Sequence, residues 1–258
     1  MTSSSILRRV AGLLFAASAA VSTTAHAADG GFTLPIGGFT RVSGSGKLQT
    51  EARKVSGFQA IALRSSMKLV LRQGAREGDE LRADDNLLPL IETQVFDRNG
   101  VPTLELRMKK GTSFSTNNTM VATIDLITLR ALSISGSGEV VSDALTTPAL
   151  TIATSGSGTV KLKQLATDDL SAKVSGSGDL EFAGRTGKLG VSISGSGDVN
   201  ARALEANDVS VSVAGSGEAK VTARKTLNIS IAGNGRVTYA GDAAVKTSIA
   251  GHGNVSKQ

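Results

Sequence analysis

The sequence contains no cysteine and no tryptophan, and only 3% of its residues are aromatic. Without a thiol the chain forms no disulfide framework, no cysteine-based zinc site, no iron–sulfur cluster and no cysteine nucleophile. It has two histidines, and the first, His26, lies in a segment that we expect to be removed. A Ser-His-Asp enzyme or a multi-histidine metal site would then depend on His252 alone. We therefore expect no catalytic residues, no metal and no cofactor.

A basic run is also missing, although the sequence pI is about 9.7 and the net charge is +6. Residues of both charges are spread along the whole chain, and few aromatic side chains are present to stack on bases. We interpret the charge as a mixed, solvated surface. The sequence predicts no nucleic-acid partner.

The first 27 residues have the pattern of a secretory signal peptide. Arg8 and Arg9 precede an apolar stretch from Val10 to Val21, and Ala25-His26-Ala27 supplies a small-x-small cleavage site. This stretch is shorter than the ~20 residues that a transmembrane helix needs, and no later segment approaches that length. We expect an exported chain without a transmembrane segment, located in the periplasm, on the outer-membrane surface or outside the cell.

An internal repeat is the most informative feature of the sequence. A Gly-x-Gly core recurs at steps of 20, 20, 19, 20, 18 and 18 residues. Around each core, apolar residues alternate with polar ones, a period of two that is typical of half-buried strands. Glycine suits a tight turn that requires positive φ. The predicted turn glycines are Gly136 and Gly138, Gly156 and Gly158, Gly176 and Gly178, Gly195 and Gly197, Gly215 and Gly217, Gly233 and Gly235, and Gly251 and Gly253.

Units of 18 to 20 residues are too small to fold alone, but stacking them buries ladders of aliphatic side chains. This idea predicts Ile193, Val213 and Ile231 on adjacent rungs inside a β-helix. A meander of hairpins is the competing architecture, because Gly-x-Gly is also a hairpin signal. We favour the β-helix because other connections, such as residues 143–148 and 183–188, are longer and lack the Gly-x-Gly core.

Residues 28–130 are less regular than the seven-repeat array at 131–258, but they also read as strands. Asp84-Asp85-Asn86 is a candidate cap for a short helix that Pro89 would limit. No linker separates the two parts, so we expect a single domain over residues 28–258. The N-terminal part would form the first coils and shield one end of the column. The last repeat has no obvious polar cap, and we expect it to meet another copy in a homo-oligomer.

Several motifs together resemble a known family. They are Gly44-Ser45-Gly46, the segment from Arg53 to Phe58, the segment from Asp85 to Ile91, and the serial SGSG turns. This pattern is similar to the GIN domain of putative auto-transporter adhesin heads. The resemblance implies an exported, bacterial, all-β protein with a right-handed β-helix, or β-solenoid, in which Gly-Ser-Gly turns join two sheets. It implies adhesion as the role and supplies no binding residues.

Acidic residues recur three positions after the first glycine, at Asp179, Asp198 and Glu218. We expect them to stack on one edge as a solvated column, with calcium bridging or glycan chemistry as the alternatives. Phosphate binding by the glycine turns would require a following helix, which the pattern does not predict. His252 occupies the slot held by Ser or Asn in the other turns, so we interpret it as a turn residue.

The sequence thus favours an exported, non-enzymatic β-helical protein that mediates cell-surface adhesion or envelope contact. Its partners would be glycans or proteins of a cell surface or envelope. The alternative is a periplasmic structural or glycan-binding module. A polysaccharide-active enzyme is a further alternative, in which Asp179, Asp198 and Glu218 would carry the activity.

Overall fold

The computed structural model describes residues 34–36 and 39–258. The predicted signal peptide at residues 1–27 lies outside the described residues. Strands dominate this part of the chain, which contains no α-helix and, between β6 and β7, one short 3₁₀ helix at Leu88–Leu90. The strands are β1 Leu34–Ile36, β2 Phe39–Ser43, β3 Leu48–Arg53, β4 Ala60–Arg64, β5 Lys68–Gln73, β6 Gly78–Asp84, β7 Ile91–Arg98, β8 Val101–Met108, β9 Thr112–Ser115, β10 Val121–Leu126, β11 Ala131–Gly136, β12 Glu139–Ser142, β13 Leu145–Thr146, β14 Ala149–Gly156, β15 Thr159–Gly176, β16 Asp179–Gly195, β17 Asp198–Gly215, β18 Glu218–Gly233, β19 Arg236–Ala240, β20 Ala244–Gly251 and β21 Asn254–Lys257.

The repeat array forms a β-solenoid in which each repeat is one rung. Strands of successive rungs pair in parallel, from β11 through β14, β15, β16, β17 and β18 to β20. The first glycine of every turn pairs with the first glycine of the next turn along the whole series. Hairpins would give antiparallel neighbours, so the parallel register confirms the β-solenoid and excludes the meander.

The interior of the column consists of aliphatic ladders. Ile193, Val213 and Ile231 are each 1% exposed, and each pairs in register with the next. Burying one such side chain contributes about 1.5–3 kcal/mol, and the same positions repeat in every rung. The shared core therefore offsets the entropy lost on ordering units that could not fold singly.

Each complete rung has three faces, and β15 illustrates them. Asp169–Gly176 precedes the glycine turn and forms face 1, Thr159–Leu162 follows a turn and forms face 2, and Leu165–Thr167 forms the short face 3. All three segments pair in parallel with β16, with a register shift between faces 2 and 3. The corner between face 3 and face 1 is therefore built from the longer connections and not from glycine turns.

The N-terminal strands do not stack in chain order. β4 and β5 form one rung, which pairs with β11 and β12 on one side and with β8 and β10 on the other. Beyond β8 and β10 the pairing becomes antiparallel, to β7 on one face and to β6 and then β3 on the other. Antiparallel strands thus close the N-terminal end of the parallel column.

Arg53 on β3 crosses this closed end. Its guanidinium donates hydrogen bonds to the carbonyl oxygen of Leu88 at 2.9 Å, to that of Ile91 at 2.6 Å and to Thr93 Oγ1 at 3.0 Å. Hydrogen bonds from a charged donor are the stronger kind. Arg53 therefore ties strand β3 to the 3₁₀ helix and to β7 across the end of the core.

The expected helix-capping role of Asp84-Asp85-Asn86 is wrong. The 3₁₀ helix follows Leu87 and has no side-chain cap hydrogen bond. Instead, Asn86 accepts a hydrogen bond from the Ser45 N–H at 2.9 Å and donates one to the Ser43 carbonyl at 2.8 Å, while Asp85 accepts one from the Ser45 hydroxyl at 2.5 Å. Asp85 and Asn86 therefore fix the connection between β2 and β3, and the glycines beside Ser45 belong to that connection.

Candidate functional site

The seven glycine turns stack into a ridge along one corner of the solenoid, between faces 1 and 2. The first glycine of each turn has φ between 113° and 126°. The second glycine of each turn lies against the preceding rung; a Cβ on Gly217, for example, would approach the Gly197 oxygen to 2.5 Å. The middle residue is exposed in every turn. The ridge thus presents a row of Ser hydroxyls that ends in Asn234 and His252.

The backbone of the ridge holds the rungs together. The Ser177 N–H donates to the Gly156 carbonyl at 2.9 Å, and the Asp179 N–H donates to the Gly158 carbonyl at 3.0 Å. The same two bonds link the turns of all the remaining pairs of neighbouring rungs in the array. These N–H groups already have partners in the neighbouring rung and are not available to bind phosphate.

The acidic column exists as a row on face 2. Asp179 pairs with Asp198, which pairs with Glu218. Asp179 and Asp198 are exposed, and Glu218 is half-buried and forms an ion pair with Lys220 at 3.4 Å. Within the described part of the chain, no group of three or more His, Cys, Asp or Glu side chains is placed to hold a metal ion. The expected column is present in register, as a solvated row.

A concave surface lies at the corner between faces 3 and 1. This corner groove has a volume of about 650 Å³ and crosses five rungs, from Thr146 to Arg224. With a rung spacing of ~4.8 Å, the groove is about 19 Å long. Most of its lining residues have polar or charged side chains. They include Thr146, Asp168, Arg185, Glu205, Asn207 and Arg224.

Local hydrogen bonds explain why charged side chains of the groove walls remain exposed to solvent. The Thr167 hydroxyl donates to the Pro148 carbonyl at 3.2 Å or the Asp169 carbonyl at 3.1 Å, and the Thr186 hydroxyl donates to the Lys188 carbonyl at 2.9 Å. These buried threonines satisfy the backbone where it bends, so the neighbouring charged side chains need not. Arg185 therefore remains exposed on the groove wall.

Opposite charges meet on one wall of the groove. Arg224 forms an ion pair with Glu205 at 2.6 Å, and both side chains are more than half exposed. Exposed pairs of this kind contribute only about 0–1 kcal/mol to stability. The pair can therefore open toward a polar ligand at small cost.

Sequence reasoning overlooked the corner groove because it concentrated on the glycine turns. The groove is formed by the connections at residues 143–148 and 183–188 and their equivalents, which vary in sequence from rung to rung. A signal was present in Thr147, Thr167 and Thr186, which occupy the same place in three successive rungs. Recurrent threonine at a connection indicates a fixed bend and not a flexible loop.

The family comparison agrees with the geometry of stacked rungs. Residues 57–243 match the family model described as "Putative auto-transporter adhesin, head GIN domain". The chain belongs to this family. No curated protein matches the chain in sequence.

Solved structures show the same GIN-type fold. A putative adhesin from Bacteroides fragilis is 27% identical, with a TM-score of 0.78 and coverage of 84% of this chain and 100% of that one. A putative lipid binding protein from Parabacteroides distasonis is 25% identical, with a TM-score of 0.70 and coverage of 84% and 99%. A putative adhesin from Parabacteroides merdae is 21% identical, with a TM-score of 0.64 and coverage of 84% and 99%, a similarity of fold. Within residues 34–36 and 39–258, no helix has both the length and the apolar character to cross a membrane.

Proposed function

We propose that this GIN-domain protein is exported and acts as a non-enzymatic adhesive contact module that binds glycans of a cell surface or envelope through the corner groove. The groove supports this role because it is concave, spans five rungs and presents hydroxyl, amide, guanidinium and carboxylate groups. Such groups hydrogen-bond to hydroxyl-rich polymers without requiring a charged ligand. The stacked rungs hold these groups on rigid strands.

The rigidity of the scaffold is the second support for adhesion. Each groove residue lies on or beside strands whose rungs share a fully buried core. A preformed surface binds with a smaller entropic cost than a flexible one. The acidic row lies on face 2, away from the groove, so the proposed contact does not use its carboxylates.

Binding to a panel of immobilised neutral and anionic polysaccharides tests the groove. We expect Arg185→Ala combined with Asn207→Ala to weaken binding at least about tenfold, since two hydrogen-bonding groups are lost. The matched control is Lys161→Ala combined with Asn200→Ala, which removes one cation and one amide from face 2 and leaves binding unchanged. Equal loss in both variants, binding to no polysaccharide, or glycan turnover by the wild-type protein would contradict the proposal.

The relative described as a putative lipid binding protein motivates one more arm of the same experiment. Vesicles with neutral or anionic headgroups replace the polysaccharides, and groove-dependent binding to vesicles alone would contradict a glycan ligand. Export is tested separately by adding protease to intact cells. Digestion before permeabilisation of the outer membrane supports surface display, whereas digestion only afterwards supports the periplasmic alternative.

A further inference from the structure

The last rung of the solenoid has one uncovered side. β20 pairs with β18 and β21 pairs with β19, and within the described residues neither strand has a partner on its other edge. Val245 and Ile249 are 37% and 43% exposed, although they continue the inward ladders of the column. In the preceding rung Ile231, which pairs with Ile249, is 1% exposed. Within the part of the chain that the structure describes, the apolar core is therefore open at this end.

The two ends of the solenoid differ in chemistry. Antiparallel strands and the Arg53 guanidinium close the N-terminal end, as described above. The C-terminal end combines exposed aliphatic side chains with backbone N–H and C=O groups that have no strand partner among the described residues. An edge of this kind is a ready template for pairing with another strand.

We propose that this end docks onto the same end of a second copy, with β20 pairing antiparallel to β20 of the partner about Thr247. A twofold axis through Thr247 makes the contact self-complementary, which is the commonest arrangement in homodimers. The two columns then join end to end, and their cores become continuous.

The side-chain pattern of β20 selects this register. Directly opposed residues of an antiparallel pair lie on the same face, so inward residues must meet inward residues. Centring the pair on Thr247 places Val245 opposite Ile249 and Lys246 opposite Ser248 in both halves. Centring it on Lys246 would oppose two lysines, which is destabilising. Centring it on Ser248 would place Val245 opposite Gly251, which has no side chain for Val245 to pack against.

The whole edge of the last rung is available to the contact. The last repeat step comprises 18 residues, close to the roughly 20–30 residues that each partner contributes to a standard interface. The charges on this rung add little repulsion between two copies, because Lys257 already pairs with Asp242 at 3.3 Å. The other charged residue of β20 and β21 is Lys246, which has no ion-pair partner in its own rung. In the proposed register it lies opposite Ser248 of the second copy.

A single cysteine tests the register directly, because the natural chain has none. Thr247→Cys places two thiols opposite each other with a Cα separation of about 4.5–5.5 Å, within the range that a disulfide spans. We expect mild oxidation of this variant, purified from a host that exports it, to give a covalent dimer on a non-reducing gel. Ser230→Cys, exposed on face 1 one rung earlier, is the matched control and remains a monomer on the gel.

Charge substitution tests the apolar contact independently. We expect Val245→Lys combined with Ile249→Lys to weaken the dimer at least about 100-fold in sedimentation velocity, because four apolar side chains leave the interface. Ile127→Lys, at an exposed isoleucine 52% accessible and outside the last rung, leaves the dimer unchanged. A wild-type monomer at every concentration, a dimer that survives the double lysine variant, or a dimer in which Thr247→Cys fails to cross-link would overturn the proposal.

Discussion

Gly215 shows what the first glycine of each turn does. Its φ is +126°, and a Cβ built on it would lie 2.3 Å from the carbonyl oxygen of Gly195. Both the dihedral angle and the contact exclude a side chain, since the atom in the way belongs to backbone that pairs with the next rung. Positive φ alone costs a residue with Cβ roughly 1–2 kcal/mol.

We predict that Gly215→Ala lowers the free energy of unfolding by about 2–4 kcal/mol, the sum of dihedral strain and displaced backbone. Urea unfolding followed by circular dichroism measures the change. Ser216→Ala, at the exposed middle position of the same turn, should change stability by less than about 0.5 kcal/mol. Equal effects at the two positions would show that the turn does not require glycine.

Asp79 is a residue whose burial opposes folding at neutral pH. It is 3% exposed on the inward side of β6, and neither carboxylate oxygen accepts a hydrogen bond within the described residues. Desolvation raises the pKa of Asp79 from 3.8 to about 6, although nearby Thr93 and Arg53 act in the opposite direction. Because the folded state holds the proton more tightly than the unfolded state, this group contributes no penalty below pH 4. The penalty grows as the pH rises from about 4 to 6.

We predict that Asp79→Asn stabilises the protein at pH 7.5 by about 1–2 kcal/mol and has little effect at pH 4. The gain is smaller than the pKa shift alone would give, because the buried amide still lacks partners. Urea unfolding between pH 4 and pH 8 measures it. Asp84→Asn is the control of opposite sign: Asp84 is fully buried but accepts hydrogen bonds from Thr116 and Asn118, so its loss should destabilise. Destabilisation by both substitutions at pH 7.5 would contradict this account.

Among the structural elements, the strands of the array and their partners were predictable from sequence, whereas for the N-terminal strands the sequence predicted strands but not their pairing. In β15 to β18 one local signal, the alternation around Gly-x-Gly, fixes the inward face, the turn and the partner at the same time. A constant step of 18–20 residues then determines the register, because only one alignment superposes every glycine.

The pairing of the N-terminal elements depends on contacts between segments that are far apart in the sequence. β8 reads as a strand, but nothing in its own residues indicates that its partner is β4, which precedes it by about forty residues. Likewise Asp84-Asp85-Asn86 has the local signature of a helix cap, yet Asp85 and Asn86 bind Ser43 and Ser45, and Asp84 binds Thr116 and Asn118. Such contacts depend on which segments share one end of the column. Single-chain periodicity does not contain that information, and it does not locate the corner groove either.

At the scale of the whole molecule, the solenoid is a one-dimensional stack in which each rung contacts its neighbours. Stability in such a stack is a sum of rung and interface contributions. The N-terminal end is closed by antiparallel strands, and within residues 34–36 and 39–258 the C-terminal rung pairs on one side only. Local opening should therefore be easiest in β20 and β21 and hardest in the middle rungs.

We predict that amide hydrogen exchange, measured by mass spectrometry at low protein concentration, is fastest in β20 and β21 and slowest in β15 to β17. If the open ends dock, protection of β20 rises with protein concentration, because association removes its free edge. The double variant Val245→Lys and Ile249→Lys should retain the gradient and lose its concentration dependence. Uniform exchange along the array would instead indicate that the rungs open as a single cooperative unit. If protection of β20 in the wild type did not change with protein concentration, its edge would already be covered within one chain.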